Sequence, residues 1–241
     1  MSNNSNLTKI ADNIWTIEGQ ARLMPGVHLP ARATLVRLSD GGLMIHSPIP
    51  FSDETAAAIG QLGEVSTLLA PNLFHHLYLS QAQAQFPNAK TIGGIGMAKK
   101  RKNLHIDDTF GAQLPKTLSA DFDHVMIKGS PKFDELVLFH RASRTLIVAD
   151  YFFNIHETKG LLTPLVLRMT GSYKKATQSK LWRKMTEDKN AMAESARAVL
   201  AMDYKRVIMC HGDVVEDGRA FTTASLDWLL EDPTGEPTRA I

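Results

Sequence analysis

The sequence predicts a layered α/β fold in which two sheets face each other and helices cover the outer face of each sheet. Apolar segments of strand length come first as a hairpin, then alternate with helical segments, and then form a second hairpin before alternating again. The composition is globular, with 44% hydrophobic and 22% charged residues. No repeat or linker divides the 241 residues. We therefore expect a single domain over 1–241, with flexible tails at 1–12 and 232–241.

The first half of the chain predicts a hairpin followed by strands and helices in alternation. Asp-Gly-Gly at 40–42 separates two apolar runs, which is typical of a hairpin turn. Ser52 or Asp53 is suited to cap the first helix, and Gly63 to end it. The predicted strands are 14–17, 33–38, 43–45, 66–70 and 90–92, and the predicted helices are 53–62, 77–86 and a short one from 95.

The second half repeats this alternation. A hairpin is predicted across 141–144, and the last strand precedes a terminal helix whose apolar residues recur at helical spacing. The predicted strands are 124–127, 135–140, 145–149 and 206–210, and the helical segments are 176–202 and 218–230.

Charge and cysteine content exclude several classes of protein. Lys and Arg number 27 against 25 Asp and Glu, so the net charge of +2 predicts no nucleic-acid partner. The one cysteine, Cys210, cannot form an internal disulfide, which favours a reducing, cytoplasmic location. The amino terminus is polar and no segment approaches the roughly 20 apolar residues of a membrane span. We expect no membrane partner. The sequence leaves open whether the chain forms a homo-oligomer.

Histidine and carboxylate side chains follow three predicted strands, at the ends where side chains leave the ladder. His75 and His76 follow the strand at 66–70, Asp150 follows 145–149, and His211 follows 206–210. Imidazole and carboxylate groups that arrive from separate strand ends can surround a divalent ion, because its shell needs ligands from different directions. These loops therefore predict the functional site.

The same loops carry a resemblance to a known family. The segments GGLMIHSP, STLLAPNLFHH, HRASRTLIVAD and VIMCHGD, in this order, resemble the metallo-β-lactamase superfamily, and the likeness extends from about Ile14 to Leu230. The resemblance implies a four-layer αββα sandwich. It also implies a divergent branch, because most of the family's metal-binding motif is replaced.

The replacements define which ligands remain. By the resemblance, Asn72 and Phe74 stand at the first two histidines of the motif and His76 at its aspartate. Asp150 and His211 match the family's shared carboxylate and last histidine. The implied set is two histidines and one carboxylate, compatible with a single Zn, Fe or Mn ion. Its members are His76, Asp150 and His211, with His75 as a weaker candidate that a one-residue shift would bring in.

Two functions follow as alternatives. The first is a metal-dependent hydrolase of an ester, thioester or phosphoester, in which Asp150 and His211 are catalytic and the small-molecule substrate is unknown. The second is a non-catalytic binding protein that keeps the fold without metal, so that the histidines only pack and form hydrogen bonds. Fold alone does not separate them.

Two further segments bear on the site. Lys99 to Lys102 form a basic run that predicts a solvated helix face, with an anionic substrate or nucleic acid as the alternative. His28 is expected in a loop, either at the surface or overhanging the site.

Overall fold

The larger sheet has seven strands and contains the first half of the chain. The computed structural model of the protein describes residues 7–230. The strands pair in the order of the sequence, antiparallel from the first to the fourth and parallel from the fourth to the seventh. They are β1 (Leu7–Ala11), β2 (Ile14–Met24), β3 (Val27–Arg37), β4 (Leu43–His46), β5 (Val65–Ala70), β6 (Lys90–Gly94) and β7 (Asp108–Phe110).

The smaller sheet has four strands in the order β13-β10-β9-β8, and a two-stranded ribbon joins β11 to β12. β8, β9 and β10 are antiparallel neighbours, and β13 runs parallel to β10. These strands are β8 (Phe122–Met126), β9 (Leu136–His140), β10 (Thr145–Val148), β11 (Phe153–Asn154), β12 (Ala176–Thr177) and β13 (Arg206–Met209).

Helices connect the strands and begin at capping side chains where the sequence offers them. The amide of Thr55 donates to Ser52 Oγ over 3.2 Å, as the sequence predicts for the first helix. Ser179 and Asp188 cap two later helices in the same way. The helices are α1 (Asp53–Leu62), α2 (Leu79–Gln85), α3 (Ile95–Lys100), α4 (Lys116–Ser119), α5 (Thr163–Thr170), α6 (Lys180–Lys184), α7 (Lys189–Ala201) and α8 (Gly218–Leu230).

Three apolar clusters establish the order of the layers. Residues of β3, β4 and β5 on one face pack with α1, α2 and α3. The opposite face packs against inward residues of β9, β10 and β13. The outward residues of those strands pack with α7 and α8. Because successive side chains of a strand point to opposite faces, Ile147 lies between the sheets while Leu146 and Val148 face the helices. The predicted αββα sandwich is confirmed.

The long β2–β3 hairpin is the main difference from the predicted elements. In this region the sequence predicts strands only at 14–17 and 33–38, and a loop at His28. That placement is wrong, because His28 lies within β3 and pairs with Arg22. Pro30 interrupts the strand pattern in the sequence, yet β4 pairs with β3 only from Thr34 onward, so Pro30 occupies an edge position where a missing N–H is tolerated.

The remaining differences concern the helical segment and the tails. The segment expected to be helix-rich at 176–202 contains β12 and two helices with a break between them. Of the expected tails, Leu7–Ala11 pairs with β2, and residues 1–6 and 232–241 lie outside the described part of the chain. Between residues 7 and 230, no helix combines the length and the apolar character that crossing a membrane requires.

The strand ends of both sheets meet at one edge. At this edge Gly212 lets the loop after β13 approach the backbone of Asn154 closely. Gly212 has a φ of 111° and follows β13. A Cβ at this position would lie 2.0 Å from the carbonyl oxygen of Asn154, which is backbone and cannot turn away. The amide of Asn154 also donates to the His211 carbonyl over 3.0 Å. Glycine therefore allows the loop that carries His211 to close onto β11.

We predict that Gly212→Ala destabilises the protein more than Gly41→Ala. Both glycines have a positive φ, but a Cβ on Gly41 meets no atom within 4 Å. The Gly41 variant should lose about 1 to 2 kcal/mol from backbone strain alone. The Gly212 variant should lose about 3 kcal/mol or more, because the backbone must also separate from Asn154. Urea unfolding measures both, and equal losses would contradict the close contact.

Candidate metal centre

A buried carboxylate lies between two imidazoles where the two sheets meet. Asp150 follows β10, and its Oδ2 lies 3.2 Å from His75 Nε2 while its Oδ1 lies 3.1 Å from His211 Nε2. The side chains of Asp150 and His75 are each 11% exposed and that of His211 is 8% exposed. One donor atom from each residue lies within 4.8 Å of the others. Within residues 7–230 this is the one group of histidine, cysteine and carboxylate side chains that meets such a criterion.

The loop after β5 directs His75 into this group through Asn72. The side-chain oxygen of Asn72 accepts hydrogen bonds from the amides of Phe74, over 2.8 Å, and His75, over 3.0 Å. This Asx turn reverses the chain directly after the strand. The Nδ1 atom of His75 then meets the hydroxyl of Ser47, which follows β4. Both ring nitrogens of His75 are thus engaged by the protein.

The contact between His211 and the Pro30 carbonyl determines which ring nitrogen carries a proton. Its Nδ1 lies 2.7 Å from the carbonyl oxygen of Pro30, and a carbonyl only accepts, so Nδ1 carries a proton. In a neutral ring the lone pair is then on Nε2, the atom that faces Asp150. A lone pair facing a carboxylate is repulsive. His211 is therefore stable here either as an imidazolium or with a cation at Nε2.

A second buried carboxylate supports Asp150 from behind. Glu135 precedes β9 and is fully buried. Its two oxygens accept from the amides of Ala149, Asp150 and Tyr151 over 2.9 to 3.0 Å, and from Asn72 Nδ2 over 3.1 Å. The same Asn72 nitrogen donates to Asp150 Oδ2 over 2.9 Å. Glu135 and Asn72 therefore fix both the backbone and one oxygen of Asp150.

The electrostatics of the group follow from burial and charge pairing. Burial would raise the pKa of Asp150, but His75 and His211 outweigh it and hold that pKa below its usual range. For His211 burial lowers the pKa, and the Asp150 carboxylate reverses the effect so that the net shift is upward. Burial and the charge of Asp150 raise the pKa of Glu135 to about 8. The four groups that donate to Glu135 oppose this rise, because their hydrogen bonds stabilise its ionised form.

The donor set fits a single divalent ion. Metal-binding histidines usually donate from the other ring nitrogen to a carbonyl or carboxylate, which is what His211 does toward Pro30. The three donors come from three separate strand ends and leave coordination positions open. Two histidines and one carboxylate suit Zn, Fe or Mn. An ion bound here would take over the Nε2 atoms that otherwise hydrogen-bond to Asp150.

A cavity of 480 Å³ opens onto the group. His75, Asp150 and His211 all line it, and Phe153 stacks on the His211 ring with 7° between the planes. Most of the wall is apolar and comes from β2, β3, the loop after β5, α5 and α6. The group therefore lies in a concave, mostly apolar site of the kind that binds small molecules.

The structure sorts the candidate residues by position. Asp150 and His211 lie together, as the strand-end argument expects. The second histidine of the group is His75, and His76 lies outside it. His76 also lines the cavity, and burial together with the charges of Arg101 and Lys100 lowers its pKa. The turn at Asn72 explains why adjacent histidines take different positions.

The sequence analysis missed the residues that support the ligands. Asn72 was noted only as a replaced histidine, and Glu135, Ser47 and the Pro30 carbonyl were not assigned a role. A lone carboxylate directly before an apolar strand, as in Glu135-Leu-Val-Leu-Phe, is the pattern that could have identified Glu135, because buried charges need partners. The Pro30 carbonyl is a backbone group, so no pattern of side chains in the sequence identifies its role.

Comparison with protein families identifies the chain. Residues 11–209 match the family model described as Domain of unknown function (DUF4336). The chain belongs to this family. No curated protein matches it. Because the match ends at 209, His211 and Gly212 lie just beyond the DUF4336 region, while Asn72, His75, Glu135 and Asp150 lie within it.

Solved structures similar to this DUF4336 protein include metallo-β-lactamases. The enzyme from Pontibacter korlensis has a TM-score of 0.64 at 12% identity, covering 94% of this chain and 99% of the other. A metallo-β-lactamase from Erythrobacter litoralis gives 0.66 at 14% identity, covering 93% and 96%. One from Hirschia baltica gives 0.59 at 11% identity, covering 94% and 97%. At these identities the likeness shows the fold, and the predicted metallo-β-lactamase fold is confirmed.

We predict that Glu135→Gln destabilises the protein. The substitution places an amide NH₂ where the wild-type oxygen accepts backbone and Asn72 donors, so at least one buried donor loses its partner. The expected loss is about 1 to 3 kcal/mol in urea unfolding. Glu194→Gln, an exposed position on α7, is the matched control and should be neutral. Equal stability of the two variants would contradict the role of Glu135.

A buried histidine next to the site predicts a specific pH dependence. His46 ends β4, is fully buried, and its pKa falls to about 3 through burial and the neighbouring His75. Its Nδ1 lies 3.9 Å from Cys210 Sγ, and its Nε2 has no hydrogen-bond partner among the described residues. Unfolded His46 binds a proton below its ordinary pKa of 6.5, whereas folded His46 stays neutral until about 3. Its contribution to stability is therefore lost as the pH falls below 6.5.

We predict that His46→Met makes stability less sensitive to acid. Between pH 7 and pH 5 the wild-type protein should lose about 1 to 2 kcal/mol more than the variant, because one pKa unit corresponds to 1.36 kcal/mol. Unfolding free energies at both pH values for both proteins give this difference. The exposed His156, whose ring contacts the uncharged side chain of Asn154, supplies the control variant, His156→Met, which should keep the wild-type dependence. The same acid loss in His46→Met as in the wild type would contradict the assignment.

Proposed function

We propose that this protein binds one divalent metal ion through His75, Asp150 and His211 and hydrolyses an ester, thioester or phosphoester in the adjoining cavity. The observation that carries the proposal is the convergence of three donor atoms within 4.8 Å at the base of that cavity. When bound, a divalent ion supplies Lewis acidity and a nucleophile at neutral pH.

The protein's own residues would supply orientation and a water-poor environment. The Pro30 carbonyl holds the proton of His211 on Nδ1, and Ser47 fixes the ring of His75. Asn72 and Glu135 hold Asp150 against rotation. The apolar wall of the cavity excludes water around a bound substrate, which strengthens electrostatic interactions inside it. One ion rather than two follows from the donor set, because Asn72 and Phe74 supply no imidazole for a second.

One observation favours a metal-free binding function as the second candidate. Asp150 is already paired with both histidines, one at each oxygen, so its charge is compensated without an ion. In that case the cavity would bind a ligand without hydrolysis, and the histidine pair would only stabilise the fold. Metal affinity separates the two candidates.

Metal titration tests the proposal directly. Protein purified without a histidine tag and treated with chelator should bind one equivalent of Zn²⁺ or Mn²⁺ in calorimetry. His75→Ala, Asp150→Asn and His211→Ala should each weaken binding by at least about tenfold to a hundredfold. His76→Ala should change it much less, and His105→Ala is the exposed control. Binding of two equivalents, or of none, would contradict the single-ion site.

Activity should depend on the same ion. A panel of ester, thioester and phosphoester substrates is assayed with added Zn²⁺ or Mn²⁺ and again with chelator. Hydrolysis that disappears with chelator and with His211→Ala supports the enzyme. Stoichiometric metal binding without any hydrolysis across the three classes would favour the binding function.

We predict that the stability effect of His211→Ala depends on metal. If the ion is the main partner of the imidazole, metal raises the melting temperature of the wild type much more than that of the variant. Thermal melts of both proteins with chelator and with Zn²⁺ give the comparison. If the variant loses the same amount under both conditions, about 1 to 3 kcal/mol for a buried hydrogen bond, the imidazole acts only in folding.

A further inference from the structure

The cavity that opens onto Asp150 has an apolar wall that continues to its mouth. Large apolar side chains line it and remain substantially exposed: Leu23 by 50%, Phe74 by 42%, Leu77 by 58% and Leu181 by 48%. Exposed side chains of this size, gathered around one opening, are uncommon on a soluble protein surface and mark a binding site. The wall is suited to an elongated apolar group that enters from solvent.

A positive wall occupies one side of the same cavity. Lys100 and Arg101, at the end of α3, line it together with His76. Lys100 Nζ lies 5.3 Å from the ring centroid of Phe74, which holds the ammonium group over the apolar wall. The one carboxylate among the lining residues is Asp150, and it is already paired with two histidines. The positive wall therefore has no acidic partner inside the cavity.

Two buried polar atoms of this wall lack partners. Arg101 Nε and His76 Nδ1 are shielded from solvent and form no hydrogen bond within the described part of the chain. A buried donor without a partner is costly, and such atoms mark positions that a ligand can satisfy. Arg101 offers a planar, permanently charged donor group, which suits a carboxylate or phosphate oxygen.

We propose that the cavity binds a fatty-acid-like molecule, with its alkyl chain along the apolar wall and its anionic group at Lys100 and Arg101. This inference names the substrate class as an ester, thioester or phosphoester of such an anionic alkyl-chain molecule, so it deepens the proposed function and rests on that function for treating the cavity as a substrate site. The ligand carries both properties because the wall offers both: a mostly apolar surface and cations without counter-ions. Of the basic run at 99–102, Lys100 and Arg101 line the cavity. Lys99 and Lys102 are exposed and do not line it.

Binding of simple amphiphiles tests the proposal without requiring activity. Calorimetry with decanoate, decanol and decyltrimethylammonium compares three head groups on one chain. Chelator is present in every experiment, so that a carboxylate cannot bind to a metal ion. Decanoate should bind at least about tenfold more tightly than either of the others, because a charge-assisted hydrogen bond contributes more than a neutral one. It should also bind about tenfold more tightly than octanoate, since each buried methylene contributes about 0.8 kcal/mol.

Matched variants locate the head group and the chain. Arg101→Gln and Lys100→Gln should each weaken decanoate about tenfold and leave decanol unchanged, while Lys99→Gln, on the exposed side of the same helix end, changes neither. Leu77→Asn should weaken both decanoate and decanol. Its control is Leu165→Asn on α5, which is 56% exposed against 58% for Leu77 and does not line the cavity.

The outcomes are distinct from those of the metal experiments. Equal binding of the three amphiphiles, or decanoate binding that neither Arg101→Gln nor Lys100→Gln changes, overturns the anionic subsite. No binding of any amphiphile overturns the ligand class. Because chelator is present throughout, a positive result stands even where the protein binds no metal, and a negative result leaves the metal titration unaffected.

Discussion

The central constraint of this structure is the burial of the Asp150 carboxylate away from water. Asp150 lies at the end of a buried strand, and an ion in such a place must be compensated by hydrogen bonds and opposite charge. Two imidazoles and one amide side chain provide that compensation, while Glu135 holds the backbone at Asp150 by accepting its amide hydrogen bond. They come from segments far apart in the sequence, so the fold must bring β3, β5, β9, β10 and β13 to one edge before the carboxylate can be buried. The long β2–β3 hairpin matters for the same reason, because Pro30 supplies the carbonyl that orients His211.

The arrangement also shows how the loop after β5 places a histidine beside Asp150. Asn72 acts through its amide side chain, donating to Asp150 and Glu135 and accepting from two backbone amides. The loop after β5 turns at Asn72 and brings His75 next to Asp150. The donor atoms of His75, Asp150 and His211 converge at this loop. The adjoining cavity, apolar with a positive wall, determines which molecules can reach those donors.

The sequence predicts most of the fold because most of its turns, helix caps and strands depend on residues that are close together in the sequence. The Asp-Gly-Gly turn, the Ser52 cap and the buried strand 145–149 each depend on residues within a few positions of one another. The β2–β3 hairpin escaped prediction because Pro30 breaks the strand pattern, and only the absence of a β4 partner at that position makes the proline acceptable. The choice between His75 and His76 depends on one side-chain hydrogen bond at Asn72, and a one-residue difference in a loop changes no periodicity. Glu135 and the Pro30 carbonyl act across long sequence separations, which a reading of neighbouring residues does not reach.

Anomalous X-ray diffraction from a crystal grown with Zn²⁺, recorded on both sides of the zinc absorption edge, tests the central claim most directly. We expect one anomalous peak, about 2.0 to 2.2 Å from His75 Nε2, His211 Nε2 and a carboxylate oxygen of Asp150. The direct contacts between Asp150 and the two imidazoles would then be replaced by coordination. A crystal soaked in excess Zn²⁺ that shows no peak at this position, with both imidazoles still hydrogen-bonded to Asp150, would contradict it.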